Sequence, residues 1–198
     1  MGIVNWPYEQ CAELCFRDPC EPRTQPGTLA YLYVLRQDIS WCLGHDAVSG
    51  QYNPLPTLWP GAMAILAGVD LLGKYRAGND DREKVGQRFK DFLRDYFPLD
   101  ADDCETLYQL RNALLHSFGL YSRNRNREYL FQLVPGGFSL LTEIEPGLYQ
   151  VDIAALHQTF EQAVTRYRED VEGSQELQGR LATMFQHYGV MVTAHLPA

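Results

Sequence analysis

Residues 110–116 have the sequence Leu110-Arg111-Asn112-Ala113-Leu114-Leu115-His116, in which three polar residues interrupt an apolar pattern. At 100° per residue, the neighbouring leucines lie within about 100° of Arg111 and form one stripe of a helix. Asn112 and His116, four residues apart, lie about 40° from each other at the edge of that stripe. An arginine in an apolar stripe needs a carboxylate partner, a hydrated cleft or a second subunit. We therefore expect the functional site on this helix.

The segments that precede the motif helix also have helical patterns. Thr28 is a candidate N-cap for the first of them, and the second is apolar nearly all round, which predicts a central position. The third begins at Asn79 or Asp80 and ends before Pro98. The motif helix begins in an acidic turn, which complements the helix dipole. The predicted helices are 28–44, 61–76, 80–97 and 100–121.

A different pattern follows, because residues 128–151 contain three short strand-like runs separated by Pro-Gly turns. A long helical pattern then begins at Ile153, with Gly173 as a candidate break. The sequence thus predicts a mainly α fold, a helical bundle with a small antiparallel β-meander inserted before the last long helix. Residues 1–27 are expected to form an irregular N-terminal extension, in which Tyr8 to Phe16 can make two helical turns, and residues 28–198 the helical domain.

Composition narrows the class of protein. A chain of 198 residues with 45% hydrophobic residues is long and apolar enough for one folded domain. A net charge of −8 argues against a protein that coats nucleic acid non-specifically, although it leaves room for a local basic site. The chain has no run of 18 apolar residues and no signal-peptide pattern at its start, so we expect a cytoplasmic protein without a membrane span. The five cysteines form no CxxC pair and are expected to be ordinary reduced thiols.

The motif residues carry a resemblance to a known family. An arginine, a polar residue, three further residues and a histidine, here Arg111, Asn112 and His116, form a signature that resembles that of the HEPN superfamily. This superfamily comprises compact all-helical domains, many of them metal-independent ribonucleases and often toxins or defence effectors. The resemblance covers residues 28–188 in the order of helices, and at residue level it covers the motif helix.

The resemblance implies a catalytic role for each motif residue. In such a ribonuclease the 2′-hydroxyl of RNA attacks the adjacent phosphate, leaving a cyclic phosphate and a 5′-hydroxyl. His116 would accept or donate protons, and Arg111 would hold the phosphate and oppose its developing negative charge. Asn112 would orient His116 or a phosphate oxygen through its amide. The resemblance calls for no metal and no cofactor, and it implies a homodimer in which two motif helices line one cleft.

A basic segment follows the motif, with the sequence Tyr121-Ser122-Arg123-Asn124-Arg125-Asn126-Arg127. Three arginines at alternate positions, with Tyr121 beside them, are suited to bind a phosphate backbone and to stack a base. We expect Tyr121, Arg123, Arg125 and Arg127 to steer RNA toward the motif, which they adjoin in the sequence. The alternative is a solvated loop that leads into the strands.

Other interpretations of the motif remain open at the level of sequence. Arg111 can be neutralised by a carboxylate of the first predicted helix, for which Asp38 is the candidate. The chain can be a catalytically inactive HEPN-like module that binds a partner protein or a ligand, or an unrelated helical regulatory domain. Some HEPN toxins carry a tyrosine two residues after the histidine, where a partner antitoxin attaches a nucleotide. Here that position is Phe118, which argues against this form of control by an antitoxin.

Overall fold

Seven helices lie in the part of the chain that the structure, a computed structural model, describes, which is residues 6–23, 28–52 and 55–192. They are α1 Tyr8–Cys15, α2 Tyr31–Cys42, α3 Leu58–Ala77, α4 Val85–Tyr96, α5 Ala101–Ser117, α6 Ile153–Gly173 and α7 Gln175–Tyr188. The expected mainly α fold is confirmed, as is the break of the last helical pattern at Gly173. The predicted extension and helical domain also include residues 1–5, 24–27, 53–54 and 193–198, which lie outside the described residues.

Helix α3 is the central element of the fold, as its apolar sequence predicts. It packs against α2, α4, α5, α6 and α7, so almost every face of it meets another helix. Five of its large side chains have no exposed surface: Ile65, Leu66, Val69, Leu72 and Tyr75. A helix surrounded in this way must be apolar all round, because any polar side chain on it needs a partner within the protein.

The described strands form two sheets, one of which occupies the position expected for the insertion. In the larger sheet, β2 Tyr121–Asn124, β3 Arg127–Val134, β4 Leu141–Glu145 and β5 Leu148–Asp152 lie in the order β2-β3-β5-β4. The expected antiparallel meander is wrong in detail, since β5 lies between β3 and β4 and pairs with β3 in parallel. The second sheet pairs β1 Thr28–Ala30 with β6 Val190–Val192 in antiparallel fashion.

Several predicted helix boundaries differ from those observed, three of them with consequences for the fold. Thr28 is not an N-cap, because residues 28–30 form β1 and the first long helix begins at Tyr31. Helix α4 begins at Val85, after a 3-10 turn. In this turn the N–H of Glu83 donates a hydrogen bond to the Asp81 carboxylate. Helix α5 begins after Asp100, as expected, but ends at Ser117 instead of extending to residue 121.

The N-terminal segment, expected to be irregular, contributes a helix to the same core. The two helical turns expected after Tyr8 are present as α1, which contacts α2 and α7. Cys11 and Cys15 lie one turn apart on its buried face and have no exposed surface. All five cysteines are free thiols. Within the described ranges, no helix combines the length and the apolar character needed to cross a membrane.

Candidate functional site

Helix α5 presents the motif at its C-terminal half. The Asp100 carboxylate accepts a hydrogen bond from the N–H of Asp103, and this cap fixes the start of the helix. Leu107, Leu110 and Leu114 are completely buried and attach α5 to its neighbours, α3 among them. The expected apolar stripe is therefore present, and Arg111 must find its partner among the elements that α5 contacts.

Asp70 of α3 is that partner. The Nε and Nη2 atoms of Arg111 both donate to Asp70 Oδ2, at 2.8 and 2.6 Å. The two side chains are 12% and 18% exposed, so this is a largely buried ion pair. Two hydrogen bonds from one side of the guanidinium fix its plane, and they leave the Nη1 group to point elsewhere.

The Nη1 group joins the other two motif residues. It donates to Asn112 Oδ1 at 3.2 Å and lies 2.7 Å from His116 Nε2. Since a guanidinium carries only donors, Nε2 must be the acceptor, which requires a neutral imidazole with its proton on Nδ1. All three motif residues are thus brought together, as the sequence predicts.

Burial dominates the electrostatics of Asp70. Desolvation raises the pKa of its carboxyl above the ordinary value, although the charge and hydrogen bonds of Arg111 and the more distant Lys74 and Arg88 lower it. The net direction is upward, which means that ionising this carboxyl costs more in the folded protein than in water. This ion pair therefore fixes geometry and is not a source of stability.

Asp38, the carboxylate considered for Arg111 from the sequence, is the wrong partner. Its carboxylate accepts a hydrogen bond from Arg23 at 2.6 Å, on the exposed side of α2. A signal for the correct partner is present in the sequence, because Asp70 is the one acidic residue in the 20 residues of α3. A lone carboxylate in an apolar helix and a lone arginine in an apolar stripe satisfy each other.

The two halves of the cluster differ in access to solvent. Arg111 is largely buried, whereas His116 is exposed near the end of α5. The site is thus a surface site that a large substrate can approach. A cavity of about 510 Å³ lies elsewhere, between α1 and α6.

The basic segment is a β-hairpin and not a loop, and its arginines do not share one surface. Strands β2 and β3 pair directly, so that Arg123 faces Glu128 on one side of the sheet while Arg127 lies on the other. Arg123 and Arg125 are exposed. Arg127 is exposed as well, but its guanidinium lies over the rings of Tyr129 and Tyr149 and donates to the Tyr149 hydroxyl. Tyr121 is 45% exposed, and its hydroxyl donates to Glu128.

The hairpin runs away from the motif, contrary to the expectation that its arginines adjoin it. Ser122 donates to Gln109 and Asn124 donates to Glu105, so β2 runs back along α5 toward its N-terminal end. Eleven residues of helix separate Glu105 from His116, a distance of about 16 Å at 1.5 Å per residue. Strand β2 therefore begins with Tyr121 near the motif end of α5, and Arg125, in the turn that follows β2, lies near the opposite end of the helix.

Metal binding finds no support in the described residues, where no three His, Cys, Asp or Glu side chains cluster in a way that could hold an ion. The chain matches no family model, no curated protein and no solved structure in the comparisons made. The chemistry open to this chain therefore depends on the arrangement of Arg111, Asn112, His116 and Asp70.

Proposed function

We propose that this protein is a HEPN-like metal-independent endoribonuclease, a toxin or defence effector of the cytoplasm, with RNA as its substrate. The observation that carries the proposal is the 2.7 Å contact between Arg111 Nη1 and His116 Nε2 at the protein surface. A fixed cation beside a neutral imidazole with an acceptor nitrogen is the pair that phosphodiester transesterification requires.

The reaction begins when a phosphate of RNA replaces His116 as an acceptor for Arg111 Nη1. This exchange releases the Nε2 lone pair, which then accepts the proton of the neighbouring 2′-hydroxyl. The O2′–P bond forms and the P–O5′ bond breaks, and the leaving 5′-oxygen takes a proton from water. The products are a cyclic phosphate and a 5′-hydroxyl, and the protonated His116 returns its proton to the hydroxide left behind. Arg111 opposes the additional negative charge at phosphorus, and the amide of Asn112 orients the phosphate or the imidazole.

Asp70 contributes to this proposal by holding Arg111 in position. Its carboxylate binds Nε and Nη2, so the Nη1 group keeps one direction before and after RNA binds. A preorganised donor loses less entropy on binding than a free arginine side chain does. The same carboxylate also reduces the net positive charge at the site, so phosphate binding depends on geometry more than on long-range attraction.

We propose a homodimer formed through α5 as the active assembly, regulated by an antitoxin or another partner protein. A catalytically inactive HEPN-like module that binds a protein or a ligand is the second candidate. It is favoured by the fact that Arg111 is already neutralised by Asp70 and His116 Nε2 already has a donor within one chain.

The experiment that tests the proposal is cleavage of a fluorescent single-stranded RNA in excess EDTA, with analysis of the product ends and of the oligomeric state. We expect cleavage by a dimer, with 2′,3′-cyclic phosphate and 5′-hydroxyl ends. A dimer that does not cleave RNA supports the inactive module. A monomer that neither cleaves nor binds RNA contradicts both candidates and identifies the motif as accidental.

A further inference from the structure

Phe118, which ends helix α5, has an unusual backbone conformation. Its φ and ψ angles are 46° and 42°, in the left-handed region that glycine occupies most easily. Its N–H and that of Gly119 both bond the carbonyl of Ala113, which closes the helix. A glycine at position 118 would form this cap without strain, so the cap itself does not explain the phenylalanine.

Packing does not explain Phe118 either. Its side chain is 75% exposed, so it contributes little to the apolar core. A strained backbone and a large exposed aromatic ring are thus combined at one residue, and both oppose folding or solubility. Residues of this kind are concentrated at ligand sites, where the surrounding structure maintains them for binding.

The position of Phe118 next to the motif indicates what it binds. It follows His116 by two residues, so the two Cα atoms lie within about 7.6 Å of each other. A nucleotide whose phosphate contacts Arg111 therefore carries its base within reach of this ring. Phe118 has no polar group with which to read base edges, but its π-face can stack on any base.

We propose that Phe118 is the stacking platform for the unpaired base next to the phosphate that Arg111 binds, an inference that rests on the proposed ribonuclease function. The substrate class is then single-stranded RNA, because a base within a duplex cannot leave its neighbours without loss of stacking. Stacking on an aromatic ring tolerates all four bases, so the ring contributes affinity and position and not a sequence code.

The structure offers variants that separate binding from folding. Phe118→Gly removes the ring and suits the positive φ, so its thermal midpoint should equal or exceed that of the wild type. Phe118→Trp keeps an aromatic face and is the matched control. The probe is a fluorescent single-stranded RNA with one 2′-deoxynucleotide at the cleavage position, which binds and cannot be cut. A second probe carries an abasic nucleotide at the same place.

We expect Phe118→Gly to weaken binding of the intact probe by about 5- to 150-fold, and Phe118→Trp to bind it as the wild type does. The abasic probe should bind equally to all three proteins. Equal affinity of wild type and Phe118→Gly for the intact probe overturns the inference and leaves the proposed function untouched. Loss of the dimer in Phe118→Gly, with unchanged affinity per protomer, also overturns it and identifies a contact between copies. A wild type that binds neither probe overturns the inference together with the proposed function.

Discussion

Arg111 uses four contacts to connect two helices and two polar side chains. Two of them bind Asp70 on α3, and the other two reach Asn112 and His116 on its own helix. Because the carboxylate holds one side of the guanidinium, the opposite side is directed at the imidazole. The contact between Arg111 and His116 thus depends on Asp70, a residue of another helix.

Asp70→Asn should separate this positioning role from stability. Burial raises the pKa of Asp70, so ionising it costs more in the folded protein than in water, and a neutral amide of the same shape should lower the free energy of unfolding at neutral pH by less than the about 3–5 kcal/mol that removal of one partner of a buried ion pair usually costs. Cleavage should nevertheless fall at least tenfold, because an amide oxygen holds the guanidinium less firmly. Asp38→Asn, in the exposed pair with Arg23, is the control and should cleave RNA normally.

The pH dependence of stability tests the same claim with a definite sign. A carboxyl with a raised pKa stabilises the fold below its ordinary pKa and loses that contribution as the pH rises through the raised value. Wild type should therefore gain unfolding free energy relative to Asp70→Asn as the pH falls from 7 toward 4, in urea titrations. If the wild type instead gained unfolding free energy relative to Asp70→Asn as the pH rises, the ion pair between Asp70 and Arg111 would be stabilising the protein.

At the level of elements, the sequence predicts which helices form better than where they end. Helix α5 has an apolar pattern that continues to Leu120, so its end at Ser117 is not visible in the sequence. The glycine that would signal a C-terminal cap is Gly119, one position after the left-handed residue. Because the helix ends early, Tyr121 to Asn124 can form β2, and the basic segment becomes a hairpin.

The sheet illustrates a second limit of sequence reasoning. Strand-like runs are recognisable in residues 128–151, but their spacing favours the local pairing of a meander. In the structure β5 pairs with β3 over five residue pairs, from Leu130 with Leu148 to Val134 with Asp152. On the inner face of the sheet, Tyr129 and Phe131 of β3 are buried against Tyr149 of β5, and this aromatic packing favours the pairing of these two strands.

The hairpin arginines should affect only RNAs long enough to reach them. The turn lies about 16 Å from His116 along α5, which corresponds to about five nucleotides at 3.4 Å each. Arg123→Gln combined with Arg125→Gln should lower the affinity for an RNA of about 12 nucleotides. It should also reduce the slope of log K against log salt concentration by about 0.7 for each lost phosphate contact. Arg168→Gln, on the exposed face of α6, is the control.

An RNA of about 3 nucleotides is shorter than this span and cannot extend from His116 to the turn. It should therefore bind equally to the wild type and to the double variant. The salt dependence is measured by fluorescence anisotropy at several potassium concentrations. An equal loss of affinity for both RNA lengths would contradict the placement of the hairpin turn at the far end of α5.

At the scale of the whole molecule, the position of α3 determines both the core and the site. Its apolar character predicts a central position, and its one carboxylate, Asp70, supplies the partner of Arg111. The pairing of β1 with β6 is not predictable in the same way, because it joins residues near the two ends of the chain. In addition, the short apolar runs that form β1 and β6 are compatible with the helical patterns of the adjacent α2 and α7.

Close packing of α3 against α6 can be tested at a glycine. A Cβ on Gly68 would lie 2.6 Å from Cζ of Phe160, a ring that is completely buried. Gly68→Ala should therefore lower the free energy of unfolding by about 1–2 kcal/mol, despite the better helix propensity of alanine. Gly179→Ala, on the exposed face of α7, is the matched control, because a Cβ added at this position would have no atom within 4 Å.

We expect Gly179→Ala to raise the unfolding free energy by about 0.5–1 kcal/mol in the same urea titrations. The two substitutions thus have the same chemistry and opposite predicted signs. Equal stability of both variants would show that α3 and α6 do not pack as closely as described.

The central claim is that His116 and Arg111 form a catalytic pair, and the most direct measurement is the cleavage rate of His116→Ala in EDTA. We expect at least a hundredfold loss of rate, because the imidazole accepts the 2′-hydroxyl proton in the proposed reaction, and an unchanged thermal midpoint, because it is exposed. His187→Ala, which removes an exposed histidine of α7, should cleave RNA as the wild type does. Undiminished cleavage by His116→Ala would contradict the account.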